Sequence, residues 1–174
     1  ICFWIYSRDR LVYNNEFDSG LIMQDGHNLF DVSKAVWESF SSVLLKETNH
    51  VLEDSTVSDL QWFSCKISET RQVMLGIDQL AGYQLAEDML NLPLVSLSDV
   101  DEQDAVLELM NCICGNLHWD KSSADFFDQP KLLPVVDILP LLHNLKMVSD
   151  VTAETGIKRF YIAVLETDVN HLTD

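Results

Sequence analysis

The spacing of apolar side chains switches repeatedly between a helical and a strand-like period, and each switch falls at a short polar break. After the turn-like "DGHN", the run "LFDVSKAVWESFSSVLLKE" places Leu29, Phe30, Val32, Val36, Trp37, Phe40, Val43 and Leu44 at helical intervals, which predicts a helix over 29–47. "DLQWFSCKISE" and "RQVMLGIDQ" read as two strands joined by a polar turn at Glu69, Thr70 and Arg71, a hairpin over about 60–77. "AGYQLAEDMLN" returns to helical spacing and stops before Pro93, which disfavours helix at Leu92. A further helix is predicted over 102–117, with Ser98 or Asp99 as its cap and Val106, Leu107, Leu109, Met110, Ile113 and Leu117 as its core face. Its early acids suit the positive end of the helix dipole. "KLLPVVDILP" and "RFYIAVLETD" read as strands, at 132–139 and 159–166. Helices and strands in this order predict an α+β fold, an antiparallel sheet packed against long helices. Residues 1–25 read as a strand or an N-terminal extension, and 26–174 as a single domain without a Gly/Ser linker.

Charge narrows the partners. Twenty-eight acidic residues against 11 basic ones give a net charge of −17, which repels phosphate backbones and anionic headgroups, so neither nucleic acid nor membrane insertion is expected. No apolar run reaches the roughly 18 residues of a spanning helix, and "ICFWIYSRDRLVY" lacks the basic start of a signal peptide. Four scattered cysteines, Cys2, Cys65, Cys112 and Cys114, do not make a disulfide framework, which fits a reducing cytoplasm. Cys112 and Cys114 point in different directions on a helix and read as small apolar residues. His27, His50, His118, His143 and His171 show no ligand spacing, so no intrinsic metal site is expected.

Within "DAVLELMNCICGNL", Asp104, Glu108 and Asn111 stand at i, i+4 and i+7 and share one helix face. A solvated face is the plain reading. Two acids one turn apart weaken a helix by roughly 0.2–0.5 kcal/mol, and an asparagine inside a helix competes with the backbone for hydrogen bonds. The same trio can also work on a substrate. A carboxamide both donates and accepts, so it can hold a water in line, while a carboxylate one turn away pairs with a partner's cation.

With the "CICGN" that follows and Pro134, 23 positions beyond Asn111, the pattern DxxxExxN at Asp104, Glu108 and Asn111 resembles the CheC/CheX/FliY group of chemotaxis phosphatases. The resemblance runs over roughly residues 28–168, with Gly115, Asn116 and Pro134 as supporting positions. It implies a pseudo-symmetric fold and a phosphatase acting on the phospho-aspartate of a response-regulator receiver domain. In that scheme Asn111 orients the attacking water, Glu108 anchors to the regulator's lysine, and the Mg²⁺ belongs to the regulator, so no intrinsic cofactor is implied. An acyl phosphate is already labile, and positioning alone can accelerate its loss.

The chain also departs from the two-site members. Where a second site would lie, the first helix carries Lys34, Glu38 and Ser41, without the asparagine or a later proline. That resembles the single-site CheX branch, whose members dimerise, and a homodimer is the implied state. The alternative is a CheC-like or flagellar-switch-like domain that docks a regulator, or serves as a scaffold, without hydrolysis. Asn111 separates the two, because mere docking does not need it.

Overall fold

A computed structural model of the chain describes residues 26–117 and 128–167. The element order is α1 (Gly26–Phe40), β1 (Lys46–Thr48), β2 (Gln61–Lys66), β3 (Arg71–Ile77), α2 (Gln79–Leu90), α3 (Asp99–Asn116), β4 (Lys131–Leu133), α4 (Ile138–Asn144), β5 (Lys146–Thr155) and β6 (Lys158–Glu166). The predicted extension at 1–25, together with Cys2, His118 and His171, lies outside the described residues.

The strands form one fully antiparallel sheet in the order β1-β5-β6-β3-β2-β4. Exchanging β1, β2 and β3 for β4, β5 and β6 turns this order into its own reverse. The sheet is therefore two-fold pseudo-symmetric about the β3–β6 pair, and α1 and α3, which lead the two halves, are equivalent elements.

Strand alternation gives the sheet two faces. On one, Phe63, Cys65, Val73, Leu75, Ile77, Phe160, Ile162 and Val164 form the main core with Trp37 of α1, Leu85 of α2 and Val106, Leu109, Met110 and Ile113 of α3. On the other, Trp62, Met74, Tyr161, Ala163 and Leu165 are covered by a 3-10 turn at Asp54–Asp59 and by α4. The expected hairpin and α3's expected core face are both present, with Leu107 half-buried against that core.

Two expectations need correction, and one strand is additional. The first helix ends at Phe40 instead of running to 47, because Asp88 of α2 accepts from the Ser41 hydroxyl at 2.9 Å and the Ser42 amide at 2.8 Å, turning the chain toward β1. The strand expected over 132–139 stops at Leu133, and Ile138–Asn144 is helical. Pro140 falls in the first turn of α4, where its missing N–H is tolerated. β5, which no apolar run announced, is the longest strand. A two-residue turn joins it to β6, with Gly156 at φ +68° as the type II′ geometry requires.

The α2–α3 crossing contains a buried acid. Glu102 is 0% exposed, and a Cβ on Gly82 would come within 2.1 Å of its Oε1. With its amide nitrogen oriented toward the carboxyl, Gln61 of β2 donates to Oε1 at 2.7 Å and Oε2 at 3.2 Å. Desolvation, reinforced by nearby Asp99, pushes the Glu102 carboxyl up to about 7 despite the Gln61 hydrogen bond.

Gly82→Ala is expected to destabilise the fold by about 1–3 kcal/mol in denaturant unfolding, since the new methyl and the carboxyl claim one space. Glu102 also makes a signed prediction. The folded state holds this proton more tightly than the unfolded chain, so the carboxyl's stabilising contribution is fully present below about 4.5 and is lost as pH rises to about 7. Glu102→Gln should therefore gain stability relative to the native chain between about pH 5 and about pH 8. A difference in melting temperature that stays constant over that interval would contradict it.

Candidate functional site

α3 begins with a capping box: Ser98 Oγ accepts from the Asp101 amide at 3.4 Å, and Asp101 Oδ2 accepts from the Ser98 amide at 2.8 Å. The same contacts with Ser98 hold the Asp101 carboxyl below its ordinary range. Tyr83 of α2 donates to Asp99 at the start of α3, and that bond pushes the phenol up to about 12. With Val106, Leu109, Met110 and Ile113 facing the sheet and Glu102 seated between Gly82 and Gln61, rotation of α3 about its axis is fixed, and the opposite face is set by the 3.6-residue period.

That opposite face carries the predicted residues. Asp104 and Glu108 are exposed and Asn111 is half-buried, aligned along about 10 Å of helix. Among the described residues, no hydrogen bond or ion pair engages the side chain of Asp104 or Asn111, and Glu108 accepts only a weak contact from the Cys112 thiol at 3.8 Å. Burial and the neighbouring Glu108 raise that thiol to about 11. Among the described residues the stripe is thus two carboxylates and a carboxamide with at most a weak internal contact, able to accept from cations and to hold water.

The equivalent stripe on α1 is closed upon itself. Lys34, Glu38 and Ser41 each stand 70 positions before Asp104, Glu108 and Asn111. Lys34 and Glu38 form an ion pair, and Ser41 is buried, donating to Asp88. A lysine in place of an acid therefore supplies an internal partner, and only the α3 copy is left unengaged.

The supporting positions separate. Gly115 continues the exposed stripe one turn beyond Asn111, whereas Asn116 donates from Nδ2 to the Cys112 carbonyl at 2.8 Å and closes the last turn. Pro134 is exposed where edge strand β4 ends, with α3 lying alongside that strand. Cys114 and Cys65 of β2 are both buried, and the Cys65 thiol donates to the Asp128 carbonyl at 3.1 Å. Among the described residues no three His, Cys, Asp or Glu side chains converge as a metal site, and no helix is long and apolar enough to cross a membrane. The sequence reading counted Glu102 among the early acids of this helix and missed it as a core residue. Its position four residues before Val106 and seven before Leu109 puts it on the apolar face, which was the available signal.

Solved structures that resemble this fold include CheX and CheC-like proteins. CheX from Desulfovibrio desulfuricans superposes with a TM-score of 0.57 at 12% identity, over 81% of this chain and 98% of that one. A chain of the CheX-CheY-BeF3-Mg²⁺ complex from Borrelia burgdorferi gives 0.56 at 12% identity, over 83% and 99%. A CheC-like superfamily protein from Shewanella sp. PV-4 gives 0.53 at 15% identity, over 83% and 98%. No protein-family model and no curated protein sequence matches the chain.

Because the α3 stripe makes only the weak Cys112–Glu108 contact among the described residues, alanine at Asp104, Glu108 or Asn111 should change unfolding stability by no more than about 0.5 kcal/mol. Ser41→Ala, which leaves Asp88 short of a donor, should cost about 1 kcal/mol. Chemical denaturation of the four variants checks both statements, and a loss above about 1 kcal/mol at Asn111 would show an internal role for it.

Proposed function

We propose, from the CheX/CheC-like antiparallel α+β fold that the chain adopts, that it is a phosphatase for the phospho-aspartate of a response-regulator receiver domain, working in chemotaxis or a related two-component pathway. The observation that carries this reading is the outward stripe of Asp104, Glu108 and Asn111, engaged among the described residues only by the weak Cys112 contact to Glu108 while its α1 counterpart is satisfied. A solvated face gains nothing from a half-buried asparagine in a helix. The Borrelia burgdorferi relative, solved with CheY, supports a receiver domain as the partner.

In the proposed reaction, Glu108 pairs with a lysine of the docked regulator and fixes the approach. The Asn111 carboxamide then lies beside the acyl phosphate and holds a water opposite the phosphorus–aspartyl oxygen bond. Water adds at phosphorus, that bond breaks, and inorganic phosphate leaves an aspartate carboxylate behind. Mg²⁺ in this scheme is held by the regulator. No strong base on this chain is required, because the aspartyl carboxylate is a good leaving group and the work is positioning.

Pairing of two copies belongs to the same reading. Sedimentation is expected to give twice the 19.8 kDa of one chain, and a monomer at micromolar concentration would remove this part alone.

The test is loss of phosphate from a panel of acyl-phosphorylated receiver domains. Asn111→Ala should slow the accelerated reaction by about 100-fold while leaving regulator affinity within about threefold, since the amide acts on the transition state. Glu108→Ala should weaken docking by about tenfold, because the partner's lysine loses its counter-charge. If Asn111→Ala hydrolyses as fast as the native chain at saturation, the domain docks without catalysing and the scaffold reading replaces this one.

A further inference from the structure

Gly115 stands on the α3 stripe 11 residues beyond Asp104, seven beyond Glu108 and four beyond Asn111. At 100° per residue it lies within about 40° of all three, and its backbone is about 6 Å along the axis from Asn111. Glycine inside a helix is the costliest residue after proline, so the fold ordinarily supplies a reason for one.

Among the described residues none of the usual reasons operates here. The left-handed backbone that favours glycine occurs at Gly156 and not at Gly115. Close internal packing is absent too: a Cβ at 115 would meet no atom of the described residues within 4 Å, in contrast to Gly82, where it would strike Glu102. Nor does the glycine end the helix. α3 continues to Asn116, whose side chain closes the last turn on Cys112. Gly115 is exposed, at the edge of the surface formed by Asn111 and Glu108.

We propose that Gly115 is the floor of the docking surface, where the main chain of the receiver domain beside its phosphorylated aspartate rests directly on α3. This rests on the phosphatase reading above. A side chain at 115 would hold the regulator off by its own width and lift the acyl phosphate from the Asn111 carboxamide one turn away. An in-line water tolerates little displacement, since an error of about 1 Å can cost two orders of magnitude in rate. Gly115 is a positioning residue and touches no reacting atom.

Gly115→Ala and Gly115→Gln in the full chain test it, read by melting temperature, affinity for an acyl-phosphorylated receiver domain, and rate of phosphate loss at saturating regulator. Both variants are expected to keep or raise the melting temperature, because alanine and glutamine favour helix over glycine. Gly115→Gln is expected to weaken docking about tenfold or more and to slow the saturated rate, with Gly115→Ala intermediate. A lower melting temperature for Gly115→Ala would show that the fold itself needs the glycine and would overturn the proposal. So would a Gly115→Gln variant that binds and hydrolyses within twofold of the native chain. If Asn111→Ala abolishes hydrolysis while Gly115→Gln leaves it untouched, only the role of Gly115 falls. If the native chain binds no receiver domain, both readings fall.

Discussion

The seat of the Glu102 carboxyl, between the bare backbone of Gly82 and the amide of Gln61, sets how α3 is turned about its own axis. A helix held only by aliphatic side chains can roll by a fraction of a turn at modest cost, whereas a buried carboxyl with one hydrogen-bond donor cannot. Glu102 shares its face with Val106, Leu109 and Ile113, so fixing it fixes the outward direction of Asp104, Glu108 and Asn111. The acid also limits stability, since burial favours its neutral form and its ionisation weakens the fold. A precise orientation of the outer face is gained at the expense of that stability.

Two-fold pseudo-symmetry makes α1 an internal control for α3. Both helices lead a three-strand half and pack on the same sheet face. They differ in what their outer residues do. Lys34 neutralises Glu38, and Ser41 is drawn inward by Asp88, so the α1 face contributes to the fold. On α3 the acid at 104 repels the acid at 108, and the amide at 111 has no internal bond among the described residues. One half uses its outer polar residues in the fold, and the other leaves Asp104 and Asn111 without a partner among the described residues.

Much of this was legible in the sequence where the pattern is local. The hairpin, α2 and the core face of α3 follow from apolar spacing, and the alignment of Asp104, Glu108 and Asn111 needs only the helical period. What escaped is non-local or balanced between two local readings. Nothing near Ser41 shows that Asp88, 47 residues later, ends α1 there. "ILPLLHN" suits a strand by composition, yet Pro140 is equally at home in a helix's first turn, and cover for the second sheet face decides for helix. β5 was invisible because Asp150, Thr152 and Glu154 point to the face that is only partly covered, leaving Val151 and Ala153 too sparse to read as a strand.

Under the proposed function, α3 and not its pseudo-symmetric mate meets the regulator. Amide hydrogen exchange on the full chain, with and without an acyl-phosphorylated receiver domain, tests it directly. Slowed exchange confined to α3 between Asp104 and Gly115, with α1 between Lys34 and Ser41 unchanged, is the predicted result. Protection on α1, or on neither helix while the regulator is bound, would contradict it.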